Sequence, residues 1–387
     1  MNSMQDRAVG ALMAAAVGDA IGGATEGRST EEILERYDGY VEGVVDYFMK
    51  DWRTAKPMSL YHKGDGHVTD DTLMTNLLVA VYERRRRHLT AFDMADDLVP
   101  LMMNHVTWIP ELEKETVPIL RVFLAEKWLV TRLYYGHVDP REAGVGNVVN
   151  CGAAMYMAPV GIANAGDPLG AYREAVEIGG AHQSSYGREA GAVFAAAVAS
   201  AMATDATVDS VLAAALDLAR DGTGAAIEAV LSAAEPGQDW RESIPLLRAA
   251  VRPFDSVGEL YRQPAQDSRR PSRLRSIEEL PVALGLLKVT GGDVRGCILG
   301  ATNYGRDSDS IATMSGAIAG ALGGESAVPA EWAEAVSTGS RLDLRAGGLA
   351  MAGVAREIFA ADEADFRRRS AAMTSLSSAV STKGRAS

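Results

Sequence analysis

Apolar residues return at every third or fourth position along nearly the whole chain, and alternation at every second position is almost absent. The first pattern keeps one face of a helix apolar, whereas a half-buried strand needs the second. Helices are read over Met4 to Ala20, Thr72 to Arg86, Leu89 to Met103, Ile109 to Leu133, Leu169 to Gly179, Glu189 to Ala203, Val208 to Arg220 and Ala225 to Ala234. They continue over Ile277 to Leu287, Asp293 to Thr302, Asp309 to Leu322 and Leu349 to Ala360. Only Tyr40 to Phe48 reads as extended. No segment repeats at a fixed period, which disfavours a solenoid. What remains is helix packed on helix: an all-α, compact multi-helix bundle, with one domain over residues 1–368. Plentiful glycine and alanine suit close packing of such helices. Residues 369–387, rich in Ser, Ala and Thr, are expected to form a disordered tail.

A formal net charge of -13 argues against a general binder of nucleic acid or anionic membrane, because phosphate binding draws on clustered Lys and Arg. Two basic patches run against that trend. Arg84 to Arg87 close a helix, where cations favour the dipole, and Arg269 to Arg275 read as a Pro-containing surface loop. No apolar run is long enough to cross a bilayer, and Ala190 to Ala203 reads as a buried helix. A cleavable leader at the start is rejected because Asp6 interrupts its charged end, and because Val9, Leu12, Met13, Ala16, Val17 and Ala20 make a helical stripe. Cys151 and Cys297 are too few for a disulfide framework or a cysteine zinc site, which fits a cytoplasmic protein.

Two acidic clusters stand at the heads of helices. In GHVTDDTLMTNLLV, Asp70 and Asp71 lie between Thr69 and Thr72, just ahead of Leu73, Leu77 and Val81. In NYGRDSDSIATMSGAIAGALGG, Asp307 and Asp309 alternate with Ser308 and Ser310 ahead of Ile311 and Met314. Capping explains part of this: Thr69 or Ser308 can cap, and acids favour a helix N-terminus. It does not use adjacent carboxylates, which point about 100° apart and cannot serve one cap. The other reading is a hard cation on carboxylate and hydroxyl oxygens. Two clusters, each with more oxygens than a cap needs, favour the cation. The glycine and closing Glu of a calcium-binding EF-hand loop are missing, as are the usual zinc motifs.

Four ordered segments resemble the ADP-ribosylglycohydrolase family: GALMAAAVGDAIGGATEG at Gly10, VTDDTLM at Val68, NCGAAMYMAPVG at Asn150 with AHQSSYGREAGAV at Ala181, and GRDSDSIATMSGAIAGA at Gly305. The resemblance implies an all-α fold holding two divalent cations, Mg2+ or Mn2+, on Thr69, Asp70, Asp71, Asp307, Asp309 and Ser310. It implies Glu26, seven residues after Asp19, as the general acid/base, with Asp19 structural. It further implies that His182, Ser184, Ser185 and Gly187 line an ADP-ribose cleft together with Asn150, Cys151, Gly152, Met155 and Tyr156. The implied activity is metal-dependent hydrolysis of an N- or O-glycosidic bond, releasing ADP-ribose from a modified protein side chain. Arg306 and Tyr156 depart from the family pattern, and they motivate a second reading in which a free nucleotide, nucleoside or small ribosylated metabolite is cleaved. A silent binding or structural relative is the third. Residues 204–275 match no segment of the family pattern.

Overall fold

The structure is a computed structural model that describes residues 3–52, 61–254 and 275–383. It is an all-α bundle, as the periodicity requires. At its centre the helix Met4–Gly23 lies along the helix Ser308–Gly323. The sequence pattern suggests a stripe on the first helix, but every residue from Arg7 to Gly23 is buried. A helix covered on all sides needs small residues where its neighbours come closest. At Gly22 a Cβ would stand 2.5 Å from the Ser308 carbonyl oxygen, and at Gly316 one would stand 2.7 Å from that of Ala14. Those backbones therefore touch, which draws the two ends of the chain together. Buried Arg7 is matched by carbonyls, its Nη1 donating to Ala201 O at 2.8 Å and Ala321 O at 2.9 Å. These are C-terminal carbonyls of two helices, groups left without helical partners.

Around this pair pack Asp70–Arg85, Ser185–Ala201, Arg275–Val289 and Val294–Tyr304, with Pro168–Gly179 lying on Ser185–Ala201. Most expected helices are found within a few residues of their expected ends. Thr30–Tyr37, Ala158–Ala163, Trp240–Val251 and Ala330–Ser340 are helices that the periodicity did not signal. Residues Tyr40 to Phe48 are irregular and form no strand. The long helix expected over Ile109 to Leu133 is broken into pieces. Thr107–Ile109 pairs antiparallel with Lys114–Thr116, two 3-10 turns begin at Pro110 and Pro118, and only Leu124–Leu129 is α-helical. Proline lacks the N–H that a helix interior needs, so the apolar spacing there serves turns instead. The basic stretch from Arg269 falls almost wholly outside the described residues.

The closing helix, Ala346–Lys383, runs through the segment expected to be a disordered tail. Ala, Arg and Met are strong helix formers, and they carry the helix on past its last body contacts. His88 pins this helix to the body. Its Nδ1 meets Glu174 Oε2 at 2.5 Å and its Nε2 meets Asp362 Oδ2 at 3.0 Å. Among the described residues no helix is long and apolar enough to cross a membrane.

Candidate active site

The Asp70–Arg85 and Ser308–Gly323 helices aim their N-termini at one buried region beside the end of the first helix. Thr69 holds the N-cap position, its hydroxyl accepting from Asp71 N at 3.4 Å. The stronger cap comes from Asp19 of the first helix. It accepts from Thr69 N at 2.9 Å, Thr69 Oγ1 at 2.6 Å, Thr72 N at 3.0 Å and the Thr72 hydroxyl. Burial pushes the Asp19 carboxyl up to about 6, against those hydrogen bonds. With Asp19 as cap acceptor, Asp70 and Asp71 have other partners. Asp70 meets Arg121 Nη1 at 3.0 Å, and buried Asp71 leaves Oδ1 with no hydrogen-bond partner.

Capping does not account for the second cluster. Ser308 lies inside the helix and donates its hydroxyl to Gly22 O at 2.9 Å, while Asp307 occupies the N-cap position without a side-chain cap bond. Asp19, Asp71 and Asp309 present carboxylate oxygens within 4.8 Å of one another, and Cys151, Glu279 and Asp307 form an adjoining group of the same span. Ser310 joins the two groups. Its hydroxyl opposes the rise of the Asp71 pKa and lies 3.2 Å from Cys151 Sγ, which in turn lies 3.0 Å from Asp307 Oδ2. Burial first, and then the neighbouring carboxylates, hold Asp71 and Asp309 well above the usual carboxylate range. For Asp309 the Lys63 ammonium opposes this, at 3.7 Å.

So many buried acids with one orphaned oxygen are costly unless a cation or protons compensate. A hard divalent cation fits the donor set, which is carboxylate and hydroxyl oxygen on Asp71, Asp309, Asp307 and Ser310. Thr69 is close by, but its hydroxyl is engaged by Asp19. Glu26 follows the first helix and is one-third exposed, paired with Lys63 Nζ; the same ammonium reaches Asp309. Solvent therefore reaches this carboxylate beside the buried cluster.

The segments around Asn150 and Ala181 meet next to Asp307. Asn150 is half-buried, and its Oδ1 accepts from Gly152 N at 3.0 Å and from Gln183 Nε2 at 2.5 Å. Ser184 is half-buried and Ser185 exposed, the latter at φ 57°, a conformation that is costly for serine. Cys151, Gly152, Met155 and Gly187 are buried. Three more of the expected cleft residues are buried. His182 and Tyr156 are fully buried, with the Tyr156 hydroxyl 2.9 Å from His182 Nδ1 and His182 Nε2 3.4 Å from Glu126, so both brace the Asn150 turn from beneath. Arg306 is buried against Glu278 at 2.6 Å, a carboxylate that also accepts from Tyr304 at 2.7 Å. Arg306 thus secures the loop before Asp307.

Lys63, Glu111, Arg121, Glu126 and Glu279 are site residues that the sequence reading did not identify. Glu111 and Arg121 form a buried pair whose cation extends to Asp70. Both belong to the stretch assigned to one helix, where proline was the only warning.

A family model described as ADP-ribosylglycohydrolase matches residues 1–365. ADP-ribosylarginine hydrolase Tri1 of Pseudomonas putida (strain GB-1) is 28% identical over 346 residues, covering 86% of this chain and 74% of that protein. A solved structure titled ADP-ribosylglycohydrolase-related protein complex superposes with a TM-score of 0.58 at 20% identity, covering 92% of this chain and 100% of that one. At that identity the likeness speaks for the fold.

Proposed function

The chain belongs to the ADP-ribosylglycohydrolase family, and on that premise we propose that it is a metal-dependent glycosidase releasing ADP-ribose from a modified protein side chain. The name of the Pseudomonas putida relative points to arginine as the linkage. The observation that carries the reading is the convergence of Asp71, Asp307, Asp309 and Ser310 on one region, with Asp71 Oδ1 lacking any partner. Glu26 lies at its solvent-facing rim.

Cleavage of a ribosyl C–N bond passes through an oxocarbenium-like transition state, with water attacking the anomeric carbon. Divalent cations on Asp71, Asp307, Asp309 and Ser310 would supply Lewis-acid stabilisation and a grip on ribose hydroxyls. Glu26 accepts the proton of the attacking water as the glycosidic bond breaks. Lys63 fixes the Glu26 carboxylate toward the cluster, and Asp19 fixes the helix end that bears Asp71. The small-riboside alternative rested on Arg306 and Tyr156. One is paired with Glu278 and the other is buried, which makes that alternative the weaker of the two readings.

The test strips the protein with chelator, titrates Mg2+ or Mn2+ calorimetrically, then adds ADP-ribose and finally an arginine-ADP-ribosylated protein. The expected result is cation binding, cation-dependent ADP-ribose binding, and product release that fails in Glu26→Ala and Asp307→Ala while both variants keep their helical circular dichroism. Release from free ribosides but not from the modified protein would overturn the substrate assignment.

A further inference from the structure

We infer that the end of the closing helix is a self-association element, which pairs antiparallel with the same helix of a second copy. Met351, Val354 and Ile358 pack this helix against the body. About 100° around the helix from Ile358, a second stripe carries Phe359, Phe366 and Met373, spaced by seven residues, with Leu376 beside them. These four side chains are 69%, 66%, 62% and 64% exposed. Isolated exposed apolar residues are ordinary, but a seven-residue stripe along one helix is the pattern that buries itself against another helix.

Charge selects the occupant. The stripe is flanked on one side of Phe366 by Asp362, Glu363 and Asp365, and on the other by Arg367, Arg368 and Arg369. A parallel pair would set acid against acid and arginine against arginine. An antiparallel pair centred near Phe366 lays the acidic half of each helix on the basic half of the other, which a two-fold axis allows with one self-complementary surface. Glu363–Arg367 and Asp365–Arg368 already pair within the helix, but such exposed pairs are weak and exchange readily for contacts across an interface.

The body supplies a socket for the far end. Phe359 forms one wall of a groove of about 820 Å³, where Met4, Leu89, Ala163 and Ala355 make an apolar part and charged groups such as Arg173 and Asp362 much of the rest. In the antiparallel arrangement Met373 and Leu376 of the second copy come opposite Phe359, at the mouth of that groove. Three apolar layers alone make a marginal coiled coil, and the groove adds the contact that two bare helices lack.

Sedimentation velocity on the full chain over a wide concentration range tests the inference. The expected result is a monomer–dimer equilibrium, weakened on the order of 100-fold by Phe366→Asp. Met373→Asp is expected to act in the same direction. Both residues are exposed in one copy, so the melting temperature at low concentration should not move. Changing Arg367, Arg368 and Arg369 to Glu should give a monomer, and mixing that variant with Glu363→Arg/Asp365→Arg should restore a dimer. A wild-type chain that stays monomeric overturns the inference, as does a dimer indifferent to Phe366→Asp. A monomer that sediments with anionic phospholipid vesicles through the same stripe also overturns it, in favour of a lipid surface.

Discussion

Replacing His88 by Gln removes a charge that ties the closing helix to the body, and the loss should depend on pH in a defined direction. The His88 imidazole sits between Glu174 at 2.5 Å and Asp362 at 3.0 Å. The hydrogen bond to Glu174 does most to raise its pKa, burial opposes it, and the value stands at about 9 against an ordinary 6.5. A folded-state value above the unfolded one means that the folded chain holds the proton more tightly. The stabilisation is therefore complete below about pH 6.5 and disappears as pH climbs through about 9. Fully converted, that difference is worth roughly 3 kcal/mol. The ring is 39% exposed, so solvent screening brings the expected value to about 1 kcal/mol. Urea denaturation of wild type and His88→Gln, compared between about pH 6 and pH 10, isolates the term because other titrating groups cancel in the difference. The gap between the two should be widest at the acid end and close toward the alkaline end. A gap constant with pH, or one that widens upward, would refute the charge argument and leave only packing.

Asp71→Asn should make the chelator-treated protein more stable by about 1–3 kcal/mol, since it discharges a buried carboxylate with an unpartnered oxygen. The same change should abolish the rise in melting temperature that Mg2+ or Mn2+ gives wild type, as read by thermal unfolding with and without cation. Arg121→Met should cost about 3–5 kcal/mol in urea denaturation because it strands buried Glu111; adding Glu111→Gln should recover much of that. Gly22→Ala should lose about 2 kcal/mol or more, its Cβ meeting the Ser308 carbonyl at 2.5 Å, whereas Gly353→Ala, with open space around it, should gain about 0.5–1 kcal/mol. Equal shifts in the two glycine variants would mean that the central helix contact is looser than described.

The helices are readable where burial is one-sided and spacing regular, as in Pro168–Gly179 and Val208–Leu218. From Ile109 the apolar spacing matches a helix, but Pro110 and Pro118 impose turns, and these carry Glu111 and Arg121 into the site. Asp71, Asp307, Asp309 and Ser310 stood out because hydroxyls and acids crowded two helix heads beyond what capping uses. Lys63 is a lone charge that gains meaning only from what lies across the fold, and Glu279, although it stands next to Glu278, has no hydroxyl directly beside it to mark a ligand cluster. His182 and Tyr156 enter through the family resemblance of their segments, and spacing cannot say which side of a turn a ring lies on. Arg306 was read as a charge beside the site, and its carboxylate partner Glu278 is a neighbour only in three dimensions.

The backbone contact of Gly22 with Ser308 joins residues 286 positions apart. During synthesis the largely apolar first helix emerges long before its partner exists, at about 5–20 residues per second a wait of some tens of seconds. Through that interval its faces have no native cover, and neither half of the acidic cluster has its counterpart. A nascent chain of this design invites chaperone shielding, and a message truncated before Ser308 yields a polypeptide that exposes its own centre to degradation.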